Sequence, residues 1–556
     1  MNNTMKALYL YEIYALIKPF SELGTKEKRD FQMFHSENEE NARVYYAKLG
    51  SLLDLVNDSP EQINLLGSTL NHFEDIESTI LSGKNRTYEM HEIFQIKHFI
   101  YYYHILCNQL SNKGLIGSTE NISELSPSLF TMRNFGDLFS LLDFDGQNSP
   151  TFYLSNNYSE QFNNLKEELR KTQAYFKNIW DAYLSKIIDE LELSKLEETI
   201  AVSRANQALI NKLLESKYFY ISDENFANLT LKIKKEEEIH FLEDKINQIN
   251  QELEKEAQKI RFMLTEKILM NKNDLLSALR EIGFFDLLLA KADFGRIYGC
   301  VIPDIKSKAE ENNEDENKIF EGIKTYNIFL QNELNKLKID YQKIDINLHK
   351  KVNIITGSNM GGKTTILKTI GQISMMAKLG LPIPAEKISI KLFDKVFFCG
   401  PASSEDRADL SSFGIEVFTL QNVIKSKGFN LFLLDEFGRG TNPTEGQALF
   451  HSVMHYFSLM TDITIVSATH YNLPKNLSQC THFQMIGLQD GFVDELKTND
   501  NLDLTDKLKI IKKYMNYQPV EVNEHQEIPK SALHIAELLG LENDIIEMAI
   551  KEIKTL

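Results

Sequence analysis

Residues 352–371 read VNIITGSNMGGKTTILKTIG, and the interpretation of this stretch decides the fold of the chain's C-terminal half. Apolar residues from Val352 lead into Gly357-Ser358-Asn359-Met360-Gly361-Gly362-Lys363-Thr364, a complete GxxxxGK[ST] phosphate-binding loop. A helix-forming run follows. Strand, glycine-rich loop and helix in that order carry a mechanism: glycines let backbone N–H groups close around phosphate oxygens, and the helix N-terminus adds partial positive charge. In such a loop Lys363 reaches the β- and γ-phosphates of ATP and Thr364 ligates Mg2+.

Further apolar runs surround this stretch: KVFFCG (395–400), NLFLLDE (430–436) and ITIVSATH (463–470). They alternate with helical segments, so parallel strands buried on both faces of an α/β sheet are expected. Two of them end in polar groups. Asp435 and Glu436 close one strand, where two adjacent acids are costly unless something pairs them. Asp435 is placed to hold Mg2+ and Glu436 to polarise an attacking water. His470 closes another, where it could sense a γ-phosphate or simply cap the strand. In chain order the three pieces spell ATP hydrolysis. Between them lies GPASSEDRADLSSFGIEVFTLQNVI (400–424), in which Ser411, Ser412 and Phe413 enter a helix. That start either caps its own helix or, in a head-to-tail dimer, closes over the partner's ATP.

The first 220 residues or so read as mostly helical, with the polar stretch 111–127 as the best loop. From Leu231 to Lys267 apolar residues step by three or four (Ile239, Leu242, Ile246, Ile249, Leu253, Ala257, Ile260, Leu264), giving a long amphipathic helix with a narrow seam. Residues 159–192 supply a partner of the same kind. The two form either a long hairpin carrying a small tip, 202–229, or part of a bundle. KAEENNEDENK (308–318) reads as a solvated loop, and the last 50 residues return to helix.

The bulk properties narrow the class. A chain of 556 residues predicts several domains, and 42% hydrophobic with 25% charged residues is ordinary for a globular protein. There is no membrane-length apolar run and no leader-like N-terminus, so a cytoplasmic protein is expected. The four cysteines form no CxxC pair, which argues against a zinc site or disulfide framework. A net charge of −18 lowers the expectation of broad non-specific DNA binding, which phosphate neutralisation drives.

The motifs TGSNMGGKTT, DLSSFGIEV, LLDEFGRGTNPTEG and SATHYNL, at these spacings, resemble the ATPase domain of the MutS family, an ABC-type branch of the P-loop ATPases. ALREIGFFDLLLAKADFG (278–295) is similar to the family's helix returning to the ATPase, and SALHIAELLGLENDIIEMAIKEI (531–553) to its C-terminal dimerisation segment. The implied fold is an α/β P-loop (ABC-type) ATPase domain joined to a mainly α-helical core and lever domain with a long helical hairpin. The implied division is 1–230 helical core with the first lever helix and tip, 231–330 second lever helix and return, 331–500 ATPase domain, and 501–556 dimerisation segment. Neither the family's N-terminal mismatch-reading domain nor a C-terminal Smr module is expected.

The resemblance also implies a homodimer or a dimer with a paralogous subunit, holding two composite ATP sites. Gly357, Ser358, Asn359, Met360, Gly361, Gly362, Lys363, Thr364 and Thr365 would bind phosphate, with Ser411 reaching the partner's nucleotide in trans. Thr364 and Asp435 would hold Mg2+; Glu436 and His470 would act in catalysis. Near the adenine the family has an Asn-Asp pair, of which KIDINL keeps Asp345 and replaces the Asn by Ile344. The implied function is ATP turnover coupled to DNA binding, in repair or recombination. The alternative is an ATP-driven remodeller of a protein or ribosome client, such as a reactivation factor for a cobalamin-dependent aminomutase.

Overall fold

The computed structural model describes residues 2–111, 116–117, 130–307, 318–358, 361–400, 412–473, 480–489, 514–522, 533, 536 and 541–555. Most of the expected loops at 111–127 and 308–318 lie outside these residues, as do Asn359, Met360 and Ser411. The chain divides into two units. One comprises Met1–Phe73, Gln109–Met132 and Arg280–Leu556, and the other Glu74–Asn108 and Arg133–Leu279. Among the described residues no helix is long and apolar enough to cross a membrane.

The first unit is built on a six-stranded sheet. Its strands are β1 (Val352–Thr356), β2 (Lys395–Cys399), β3 (Asn430–Asp435), β4 (Ile463–Ala468), β5 (Cys480–Leu488) and β6 (Met515–Glu521), in the spatial order β2-β3-β4-β1-β5-β6. The first five are mutually parallel and β6 is antiparallel to β5. Every residue of β1, β3 and β4 is buried, as a parallel sheet covered on both faces demands. Helices α1 (Lys363–Lys378), α2 (Ser412–Ile424) and α3 (Pro443–Ser458) lie between these strands in the chain. Val352, Ile354, Phe432, Leu434, Ile463 and Ile465 pack with Phe450, Met454 and Phe457 of α3 on one face. Helix α3 starts where it does because the Asn442 side chain accepts from Thr444 N at 2.9 Å and Pro443 occupies the first turn.

One expectation fails in this unit, and one feature is unannounced. The last 50 residues are not all helical, because Met515–Glu521 is a strand of the six-stranded sheet, beyond the boundary expected at residue 500. A second sheet is present that the sequence pattern does not announce. Asp304–Lys306, Lys387–Lys391, Phe320–Thr325 and Ile344–Leu348 form it in that spatial order, from strands that are short and half-polar.

In the second unit, helices Glu160–Glu190 and Glu237–Met270 run antiparallel side by side. Ser159 reaches Glu256 at 3.0 Å, Lys245 reaches Glu168 at 3.2 Å and Tyr175 reaches Glu238 at 3.1 Å, so one residue number rises as the other falls. Between them lies a three-stranded antiparallel sheet with Asn228–Ile233 at its centre, flanked by Thr199–Ser203 and Phe219–Glu224. The second long helix therefore starts at Glu237 rather than Leu231. Leu229, Leu231 and Ile233 alternate, which is a strand's period, and all three are buried in the tip core with Ile187, Val202, Ile210 and Leu213.

Candidate active site

The sheet register explains why separated motifs meet. Asp435 of β3 lies level with Ala468 of β4, and Ala468 with Ile355 of β1. The loops after these three strands leave from one edge, the carboxyl edge where open α/β sheets take ligands.

At the head of α1, Gly362 sits at φ +86, the left-handed region, and a Cβ there would lie 2.9 Å from the Tyr517 ring. Only glycine meets both conditions. The next residue, Lys363, folds its side chain back into the loop, where Nζ donates to Gly357 O at 2.8 Å and Ser358 O at 3.0 Å. Burial pulls this ammonium down to about 8, against the opposing pull of Glu436 and Asp435.

Thr364 Oγ1 donates to Asp435 Oδ2 at 2.8 Å. Asp435 is buried, and its other oxygen, Oδ1, has no hydrogen-bond partner among the described residues. Burial raises this carboxyl above its ordinary range, while the Thr364 bond acts in the other direction. A buried carboxylate oxygen with nothing to accept from is costly, and a cation beside it removes that cost. The pair Thr364–Asp435 thus fits Mg2+, which takes few protein oxygens and completes its shell with water and phosphate. No group of three or more acidic, His or Cys side chains suited to a metal occurs among the described residues, so this pair would need such outside oxygens. Ser358 Oγ is likewise buried and unpartnered there.

Glu436 has φ +54, a left-handed conformation that costs a non-glycine residue about 1–3 kcal/mol. Its N–H donates to Ala468 O at 3.0 Å. Its carboxylate is engaged at both oxygens, by Arg439 Nη1 at 2.6 Å and by His470 Nε2 at 3.0 Å. That same His470 nitrogen lies 3.0 Å from Lys363 Nζ. A single ring nitrogen cannot serve both neighbours: as an acceptor it takes the Lys363 hydrogen, and as a donor it serves Glu436. Burial first, then the Lys363 charge, hold His470 below its ordinary value, which favours the neutral ring.

Residues 353–555 match the family model described as MutS domain V. Over 440 residues the chain is 25% identical to an Endonuclease MutS2 of Caldanaerobacter subterraneus subsp. tengcongensis, covering 76% of this chain and 51% of that protein. Residues 353–555 carry a MutS-family domain. It is also 31% identical over 227 residues to the DNA mismatch repair protein MSH3 of Vanderwaltozyma polyspora, covering 39% of this chain and 21% of that one. With the DNA mismatch repair protein MutS of Listeria monocytogenes it shares 30% identity over 203 residues, 36% of this chain and 23% of the relative. The chain thus spans about half the length of the first of these relatives, at 51%, and less of the others.

In this MutS-family domain the fold brings Gly357, Ser358, Gly361, Gly362, Lys363, Thr364, Asp435, Glu436 and His470 to one edge, with Thr365 in the first turn of α1. Asn359, Met360 and Ser411 lie outside the described residues. Asp345 is engaged elsewhere: it sits on the strand Ile344–Leu348, and its Oδ1 accepts from Lys324 N at 2.8 Å. Three further neighbours emerge only from the fold. Arg439 pairs with Glu436; Glu416 Oε2 accepts from Gly438 N at 2.8 Å; Tyr471 OH donates to Gly438 O at 3.0 Å. All three lie within the recognised motifs, and the three-residue step from Glu436 to Arg439 is the one legible signal among them.

Proposed function

We propose that this MutS-family chain binds and hydrolyses ATP and couples that cycle to DNA. The observation that carries the proposal is the Thr364–Asp435 pair, with its unpartnered carboxylate oxygen, set beside Lys363, Glu436 and His470. In this reading the sheet unit is an ABC-type P-loop ATPase domain. Loop amides of Gly357–Thr365 and the Lys363 ammonium bind the β- and γ-phosphates, which replace the Gly357 and Ser358 carbonyls around Nζ. Thr364 Oγ1 and Asp435 hold Mg2+, which when bound neutralises charge on the phosphate oxygens. Glu436 orients the attacking water and accepts its proton as the bond from the γ-phosphorus to the ADP oxygen breaks, with the electron pair leaving on ADP. His470 exchanges its contact between Lys363 and Glu436 when a γ-phosphate arrives.

Two such sites arise in a dimer, each completed by Ser411 of the other copy, and the long helices act as levers that carry the nucleotide state to the tip. Named relatives that are DNA mismatch repair proteins and endonucleases favour DNA as the client. The test is ATP turnover by the purified chain with and without duplex, branched and single-stranded DNA at two salt concentrations. Salt-sensitive stimulation by one form is expected, because phosphate contacts release counterions. Basal hydrolysis with no binding to any form would move the client to a protein or ribosome.

A further inference from the structure

We infer that the backbone of Gly438 is the fixture that sets Glu436 against His470, with Glu416 and Tyr471 as its two positioning residues. The inference rests on the ATP-hydrolysis reading above. Its basis is a closed frame. Glu436 N donates to Ala468 O at 3.0 Å at one end, and Tyr471 OH donates to Gly438 O at 3.0 Å at the other. Segments 435–438 and 468–471 are thereby joined twice, and the contact between Glu436 Oε1 and His470 Nε2, 3.0 Å, lies between the two joins.

The N–H side of the same residue is fixed by α2. Gly438 N donates to Glu416 Oε2 at 2.8 Å, and the Phe413 and Phe437 rings pack with centroids 6.3 Å apart. Gly438 adopts φ +79, which turns its N–H toward Glu416 and its C=O toward Tyr471. The seat is tight as well. A Cβ on Gly446, in the first turn of α3, would lie 2.3 Å from the Tyr471 hydroxyl and 2.9 Å from Gly438 O. Helix α2, the head of α3 and the His470 segment thus converge on the backbone of one residue, two after Glu436.

Neither Glu416 nor Tyr471 is hydrogen-bonded to Lys363, Thr364 or Asp435, the groups assigned to phosphate and metal. The two act on Glu436 and His470 through the backbone. Loosening the frame lets the Glu436 carboxylate drift, while the phosphate loop keeps its shape. The consequence is a split: turnover falls and nucleotide affinity stays.

The test compares ATP turnover and equilibrium ATP affinity in the purified full chain and in Tyr471→Phe, Glu416→Ala and Glu416→Gln. Tyr471→Phe and Glu416→Ala should each lower kcat about 10- to 100-fold, the scale of a misplaced catalytic group, with ATP affinity unchanged. Glu416→Gln keeps an oxygen that accepts from Gly438 N and should restore most of the rate. A merely structural role would lower the thermal midpoint or weaken binding and turnover together. Wild-type kcat in Tyr471→Phe, or affinity falling in step with rate, overturns the inference. Should Glu416→Ala fail to fold, Tyr471→Phe, which removes one hydroxyl, and Glu416→Gln still decide the matter. No hydrolysis by the wild-type chain itself would instead overturn the function proposed above, and this inference with it.

Discussion

The long-helix hairpin and the edge of the six-stranded sheet treat charge differently. Along the long helices and their tip most acids and bases face solvent and pair with each other, as in Lys245 with Glu168 or Arg204 with Glu224, although the same unit buries Lys97 against Asp143 at 2.6 Å. Exposed pairs of this kind contribute little to stability. In the sheet unit, charge is buried at the end of β3 and at both ends of α1: Asp435, Lys363 and Lys378 are each largely covered, and each has its protonation pushed away from the ordinary value. Burying a charge is costly, so groups kept in that state mark where the molecule meets a ligand or locks its frame. In the proposed ATPase reading, Lys363 and Asp435 are of the first kind. Lys378, at the other end of α1, belongs to the second: its ammonium donates to Phe34 O, Phe393 O and Asp394 O at 2.9, 2.5 and 2.9 Å.

This contrast can be broken most forcefully in the tip core. Leu231 is fully buried there, and Leu231→Ala should cost about 2–5 kcal/mol of the long-helix unit's stability. Hydrogen exchange should find the loss confined to that unit, with basal ATP turnover unchanged; a fall in basal turnover would mean that the chemistry is not held by the sheet unit alone. Next in size, Lys363→Ala should weaken ATP binding about 10- to 100-fold, the effect of one or two lost charged hydrogen bonds. Titration with labelled ATP reads this directly, and unchanged affinity would remove the loop from the site.

A smaller effect separates Lys378 from the solvent-facing lysines. Burial holds it down at about 8, whereas an unfolded lysine titrates near 10.4. Between those values the unfolded chain binds more protons, so the buried charge's penalty is fully present below pH 8 and is relieved as pH rises toward 10.4. Stability of the wild type relative to Lys378→Met should therefore rise by up to about 1.4 kcal/mol per pH unit in that window and stay flat below it. Denaturant midpoints at pH 7, 8, 9 and 10 check the sign. Smallest of all, Phe226 is fully exposed in the tip, and Phe226→Ser should change stability by less than about 0.5 kcal/mol. A larger change would show the tip to be packed against something.

How much of the molecule is legible in its sequence follows the same divide. Buried strands ending in Gly357, Asp435 and His470 announce themselves, because an uninterrupted apolar run needs cover on both faces and the polar group closing it marks the sheet edge. The antiparallel pairing of the long helices is also within reach, since Ile239, Leu242 and Ile249 repeat at helical spacing. Leu229, Leu231 and Ile233 merge with the neighbouring helix in the sequence because a short alternating run beside a long periodic one is swallowed by it. Met515–Glu521 escapes because its Asn, Gln and Pro residues lack strand preference and its pairing with β5 is set by tertiary contacts. Glu416 and Tyr471 cannot be assigned from sequence at all, for their shared partner is the backbone of Gly438, which only the fold brings between them.

The measurement that bears most directly on the ATPase reading is hydrolysis by Glu436→Gln beside the wild type at saturating ATP, with bound nucleotide quantified in both. The amide keeps the shape of the carboxylate and gives up its ability to take a proton. A fall in kcat of about 10²- to 10⁴-fold is expected, with ATP still bound. A variant that turns over ATP at the wild-type rate would contradict the role given to Glu436 and the hydrolytic site built around it.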